Sequence, residues 1–451
     1  MPEQKTRVLD RTILALLLPL ILQNALMTVS NSVTTGYIGR LAISDISAYG
    51  VANRIYNIYY SIFAGLAIGV MIVNAKIFGK KKYARFRTMQ EECDLIILPI
   101  AILFAVAIAL FPELFLKLLT DDQEMIVTGS RYLRVVCIGM PFVAMTCINA
   151  SAFQARGNAR VPLLIAIAGN VVNITIGYIL IFGVGEISGI GLQGAGIAQD
   201  LSQVVMCGCG IYMLYSNKRG LFSEYLNMPF CTKLDREDTG DLLRAGIPAA
   251  AEDLFWQLAT VVVSRVILSY GQDYYAAYQI GLQAESFCDM MGTGFVTASM
   301  SLSAMAIGRN DGALFRQCYK RMIIMALGIS AIMTVVLGCF GRSICCLLTD
   351  KEVLVDIAVP YLKTMMWVQV AENCQQIMYG YLRTTRHEKM PMAIKFIGIW
   401  VIRVSLTVMF GWVFHTDILF IWCAIAIDQW SRFIMACIAI KKGNVLRYAD
   451  L

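Results

Sequence analysis

The chain has 451 residues, of which 58% are hydrophobic and only 15% charged, against about 25% charged in an ordinary soluble protein. Its net charge of +7 has no soluble basic face to occupy, which excludes a nucleic-acid-binding protein. Apolar runs such as 12–26, 95–111 and 322–336 recur along the whole length, and a helix needs about 20 apolar residues to cross a bilayer. The composition predicts an all-α, polytopic membrane protein.

Lys5, Arg7 and Arg11 precede the first apolar stretch, which runs past Ala25 without a small-residue cleavage pattern. It reads as a retained helix rather than a removed leader. Twelve transmembrane helices are predicted in chain order, at 12–39, 46–75, 90–116, 124–153, 160–184, 192–216, 243–270, 275–306, 317–341, 352–382, 390–412 and 416–440. Each is near the bilayer-crossing length. The longest polar connection, 217–241, falls between the sixth and seventh.

A shift of 229 residues lays the chain on itself. Pro19 meets Pro248, Ala48-Tyr49 meets Ala277-Tyr278, Gly65 meets Gly294 and Gly79 meets Gly308. Phe86-Arg87 meets Phe315-Arg316, Leu118 to Asp121 meets Leu347 to Asp350, Tyr132-Leu133 meets Tyr361-Leu362, and Pro162 meets Pro391. One constant offset predicts two like-built six-helix bundles, 1–222 and 223–451. Six helices is an even number, so both halves enter the membrane in the same direction and the repeat is parallel.

The charges sort by side. Lys76, Lys80, Lys81, Lys82, Arg85 and Arg87 mark the second connection, Arg156 and Arg160 the fourth, and Lys218, Arg219, Lys233 and Arg236 the sixth. Arg309, Arg316, Lys320 and Arg321 mark the eighth, and Arg383, Arg386 and Lys389 the tenth. The alternate connections carry acids, among them Asp45, Asp121, Asp122, Glu186, Asp273, Asp350 and Asp417. The positive-inside rule puts both termini in the cytoplasm of a multi-pass cell-membrane protein.

An ionisable group within a span is costly and calls for a reason. Glu252 and Asp253 follow Pro248 in helix seven, where the missing backbone donor loosens the helix and can expose carbonyls to a cation. Glu285 and Asp289 share one face of helix eight, four residues apart. Glu372 lies in mid-span of helix ten. Across the repeat Glu252 falls on Gln23 and Glu372 on Val143, so charge has diverged where the scaffold has not. These five acids are candidates for cation coupling. A carboxylic acid out of water can trade a proton near neutral pH, and clustered carboxylates can hold Na+, with Glu252 and Glu372 the first candidates. The competing reading is static pairing, with Lys395 and Arg403 of helix eleven neutralising the glutamates. Asn173, Asp200 and Arg403 are candidates for a substrate cavity or secondary site, and Asp428 lies in the last helix as Asp200 does in the sixth.

Fourteen cysteines lie mostly in apolar segments, and His387 and His415 are the two histidines. Their spacing frames no zinc site. HExxH, GxSxG and a GK[ST] phosphate loop are all lacking, and no repeated filter loop suggests a channel. An enzyme is not expected, nor a cofactor beyond a coupling ion.

Several segments resemble one family. They include Gly39-Arg40-Leu41 and Phe153 to Pro162 (FQARGNARVP), then Asn170-Val171-Val172-Asn173 and Gly194-Ala195-Gly196-Ile197-Ala198. In the second half come Gly246-Ile247-Pro248, Gly380-Tyr381-Leu382-Arg383 and Trp400-Val401-Ile402-Arg403. Over its full length the chain resembles the multidrug and toxic compound extrusion (MATE) transporters. The resemblance implies export of amphipathic, often cationic organic compounds in exchange for Na+ or H+. Of the family's two cation sites, one uses a helix-seven glutamate and a helix-ten acid, which match Glu252 and Glu372. The other uses an aspartate late in helix one and Asn-x-x-x-Asp on helix five. Here Thr34 and Gly177 stand in the aspartate positions, while Asn173 remains.

The expected function is thus alternating-access antiport by a monomer whose partners are a small amphipathic substrate and the bilayer. A flippase of lipid-linked oligosaccharide on the same fold is the alternative.

Overall fold

The computed structural model describes residues 2–120, 122–185, 187–216, 220–225, 228, 236–349 and 351–450. Asp121, Glu186, Lys218, Arg219, Lys233 and Asp350, assigned to sides of the membrane above, lie outside the described residues. A helix stands at every predicted position, and the twelve-helix all-α architecture holds. Helices one to six are Pro2–Ile38, Ile43–Gly79, Tyr83–Leu110, Gln123–Ala155, Arg160–Phe182 and Leu192–Tyr215. Helices seven to nine are Arg236–Leu268, Gln272–Gly308 and Gly312–Leu348. Helix ten comes in two pieces, Glu352–Met365 and Gln369–Thr384, bent by 53°. Helix eleven is Lys389–Val413 and helix twelve Ile418–Lys442. Among the described residues ten helices are long and apolar enough to cross a membrane, and the bent pair makes eleven. The remaining one is helix seven, which carries Glu252 and Asp253.

Helix three begins seven residues earlier than predicted. Its charged first turns are stable because they pair internally: Arg87 Nε meets Glu91 at 2.7 Å, and Arg85 bonds Glu92. Pro112 then opens a separate short helix, Pro112–Lys117. The N-termini of helices four, nine and twelve are capped by Asp122, Asp311 and Asp417, whose side chains accept backbone N–H groups that the helix itself leaves unmade.

The chain packs as two units, one of residues 22–250 and one of residues 1–21 with 251–451. The divisions fall inside helices one and seven, between Ile21 and Leu22 and between Ala250 and Ala251, again 229 residues apart. Each unit repeats the same local device. In the first, Gly65 of helix two lies against the backbone of Ala250. In the second, its repeat partner Gly294 of helix eight lies against Leu17 and Ile21. The aromatic packing repeats too. Tyr49 and Tyr132 meet edge-on at 5.6 Å, and so do their counterparts Tyr278 and Tyr361. Only in the second unit is a tryptophan added: Trp422 stacks on Tyr278 at 5.4 Å.

The two glycines differ in what a methyl group would strike. At Gly65 it would lie within 3 Å of Ala250 backbone atoms, whereas at Gly294 the nearest atoms belong to the side chains of Ile21 and Leu17. Gly65→Ala is therefore expected to cost about 1–3 kcal/mol by overpacking, and Gly294→Ala clearly less. Thermal unfolding of the two variants in detergent checks the order; equal midpoints would contradict it.

Candidate ion-binding network of the second unit

Pro248 lies one turn before Glu252 in helix seven, and the Glu252 carboxylate is fully buried. Arg383 Nη2 donates to its Oε2 at 2.6 Å, and Lys395 Nζ lies 3.0 Å from the same oxygen. Lys395 also sits 6.0 Å from the centre of the Tyr379 ring, within cation–π range. Asp253 is in the field of Lys395 and Arg383. The sequence reading places Arg383 in the cytoplasmic connection with Arg386 and Lys389. Instead it lies within helix ten, buried, because a carboxylate waits for it in the bundle.

A second ionic group stands beside helix eleven. Arg403 Nε donates to Asp428 Oδ2 at 2.8 Å, and Arg432 donates to both Asp428 oxygens at 2.9 and 3.1 Å. Arg403 belongs to a π-helical stretch, Ile397–Val404, a wide turn that tends to mark functional positions. Gly398 in that stretch leaves room for the side chains of Arg432 and Asp428. Arg403 therefore pairs with Asp428 rather than with either glutamate suggested by sequence.

The third group is the least balanced. Glu285, Asp289 and Glu372 bring carboxylate oxygens within 4.8 Å of one another. The first two stack one turn apart on helix eight. Glu372 joins them because helix ten breaks just before it, which places it in the first turn of the second piece, where the helix dipole favours an anion. Helix nine holds the break: Thr334 Oγ1 donates to the Met366 carbonyl at 2.9 Å and Ser330 Oγ to the Gln369 carbonyl at 3.1 Å. The carbonyls of Met366, in the break, and of Gln369, at the start of the second piece, are thus both bonded by hydroxyls of helix nine. The Tyr361 hydroxyl donates to Glu285, while Asp289 Oδ1 has no partner among the described residues.

Two carboxylates 4.8 Å apart, both ionised, repel by at least about 3 kcal/mol at an effective dielectric near 20. Three at this spacing are untenable without protons or a bound cation. Oxygen donors of this kind suit a hard cation such as Na+. Glu252 and Glu372, paired by sequence, therefore stand in different groups. Lys395 lies in the field of both. The sequence reading omits Arg432, although its i+4 spacing from Asp428 is a recognisable pairing signal.

The first unit lacks these charges. At the positions of Glu252, Arg383 and Lys395 it carries Gln23, Gln154 and Ala166, and at those of Glu285, Asp289 and Glu372 it carries Tyr56, Tyr60 and Val143. Asn173 Nδ2 donates to Thr34 Oγ1 at 3.2 Å and to Ser30 Oγ at 3.4 Å, so the helix-one and helix-five site is a neutral one. Gly177 is buried, with Ala198 against it. Asp200 lies elsewhere, on helix six beside Gly139 of helix four.

Comparison with known proteins agrees with this architecture. The MatE family profile matches twice, over residues 19–179 and 248–409, starting at the two repeat prolines. A probable multidrug resistance protein NorM of Thermotoga maritima is 22% identical across 98% of this chain and 95% of its own length. A probable multidrug resistance protein YoeA of Bacillus subtilis is 23% identical across 91% of this chain and 89% of its own. Among solved structures, a MATE transporter in complex with MaL6 superposes with a TM-score of 0.89 at 17% identity, covering 98% of this chain and 97% of the other. A MOP superfamily transporter from Pyrococcus furiosus, described by the reversed polarity of its binding pocket, superposes with a TM-score of 0.86 at 17% identity, over 98% and 96%. Such identities in the solved structures speak for fold alone, but the twice-matched profile spans most of the chain, and the chain belongs to the MATE family of multi-pass membrane transporters.

Proposed function

We propose that this chain is a secondary active antiporter of the cell membrane, with both termini cytoplasmic, exchanging Na+ or H+ for amphipathic, cationic organic compounds by alternating access. The carrying observation is the meeting of Glu285, Asp289 and Glu372. A site that must take up protons or a cation to be tenable can drive a conformational change, because only differential affinity between two states moves their equilibrium. Glu252, with Asp253 beside it, is the charge-balanced neighbour, linked through Lys395. Substrate would enter the cavity from the cytoplasm and leave when a cation loads these carboxylates from outside.

The test uses proteoliposomes loaded with ethidium. A Na+ jump or a pH jump applied separately is expected to drive dye movement in one case and not the other. If neither jump moves dye, the antiport reading fails.

One observation favours a second reading. Arg383, Lys395, Arg403 and Arg432 gather in the same unit, and arginines suit phosphate, as a flippase of lipid-linked oligosaccharide would need. Yet six carboxylates, Glu252, Asp253, Glu285, Asp289, Glu372 and Asp428, stand against these four cations. That excess of negative charge ranks the anionic substrate lower. Binding of labelled polyprenyl-phosphate sugar, with none of ethidium, would reverse the order.

A further inference from the structure

The first unit carries no charges at the repeat positions of the second unit's ionic groups, yet helix six brings a carboxylate into its interior. Asp200 of helix six is 9% exposed. Gly139 of helix four lets it in, since a methyl there would overlap the Asp200 carboxyl. Its surroundings are phenolic. Tyr132 of helix four donates to neighbouring Gln199 at 3.2 Å. Tyr56 of helix two also hydrogen-bonds Gln199, and Asp200 acts on both tyrosines and on Cys137 electrostatically. Tyr49 packs edge-on against Tyr132 at 5.6 Å. Helix five offers only Arg160 and Tyr178, near its two ends. The arginines of helix four, Arg131 and Arg134, are exposed. Among the described residues no cation pairs with Asp200.

The repeat sharpens the contrast. Gln199-Asp200 falls on Asp428-Gln429, the same two side chains in reversed order. In the second unit the aspartate is held by two arginines. At the position of Arg432 the first unit has Gln203, and at that of Arg403 it has Ile174. An ionised carboxylate without a counter-charge is the costly form in a membrane interior. What can neutralise Asp200 is a proton or a cationic ligand, and Tyr56 and Tyr132, both within its electrostatic reach, carry the kind of ring that receives an organic cation.

We propose that Asp200, with Tyr56 and Tyr132, forms a proton-exchange site of the first unit, at which an organic monocation displaces the proton. It rests on the antiport reading above, and it adds an exchange site separate from Glu285, Asp289 and Glu372.

Difference infrared spectroscopy of the full-length protein in lipid tests it, with tetraphenylphosphonium as the probe. At neutral pH the parent protein is expected to show a protonated-carboxyl C=O band that is lost in Asp200→Asn and shifted in Asp200→Glu. Added tetraphenylphosphonium should remove the band and release protons, and Tyr56→Leu should weaken that response. In Glu372→Gln the band and its response should persist even though coupled transport is gone, so failure of the antiport reading and failure of this site are separable. An unchanged set of bands in both Asp200 variants, or an Asp200 band indifferent to the probe, overturns the proposal.

Discussion

Glu252→Gln is expected to unfold well below the parent protein and to stop coupled transport. The substitution leaves Arg383 and Lys395 without their shared anion in a largely buried setting. Removing one member of a buried ion pair costs about 3–5 kcal/mol, more than the pair itself contributes, because the stranded charge is what is expensive. The repeat suggests the rescue. Gln23, Gln154 and Ala166 occupy the equivalent positions of the first half, so Glu252→Gln with Arg383→Gln and Lys395→Ala reproduces the residue set the fold already carries there. The triple variant should regain most of the lost stability. If transport returns with it, Glu252 serves packing; if transport stays lost, Glu252 belongs to the coupling machinery. A single variant as stable as the parent in detergent melting would show that the pair does not hold the bundle together.

Glu372→Gln should have the opposite sign in stability. It removes one of three like charges that crowd within 4.8 Å, relieving repulsion of at least about 3 kcal/mol per ionised pair. The variant is expected to melt at or above the parent's midpoint and to lose cation-driven efflux. Gain of stability with loss of activity is what a site built under strain produces. Melting curves and dye efflux measured on one preparation decide it: a destabilised variant with intact efflux would assign Glu372 to structure.

The helices were legible because length and apolarity are local properties, whereas the packing units divide inside helices one and seven and not in the polar connection at 222/223. Helix seven was recognised although Glu252 and Asp253 dilute it. The break in helix ten was not legible, since Ser330 and Thr334, which satisfy its carbonyls, come from a different helix. Glu285 and Asp289 could be placed on one face by spacing alone. Their meeting with Glu372 depends on that break, so the triad was beyond a one-dimensional reading. Arg383 was misplaced for a related reason: flanked by Arg386 and Lys389, it looks like a positive-inside marker, and only the position of Glu252 shows otherwise. Asp428 and Arg432 were the reverse case: their four-residue spacing is a local pairing signal, and the sequence reading passed over it.

The division of the chain inside helices one and seven bears on biosynthesis. A polypeptide is made in the direction from N- to C-terminus, so residues 1–21 emerge before 22–250, yet their unit is completed by residues from 251 onward. The first unit, 22–250, has its whole sequence available once the start of helix seven is made. The opening segment must wait through that synthesis for helix eight, where Gly294 receives Leu17 and Ile21. Assembly order therefore departs from chain order: residues 1–21 precede the first unit in synthesis and follow it in finding their packing partners.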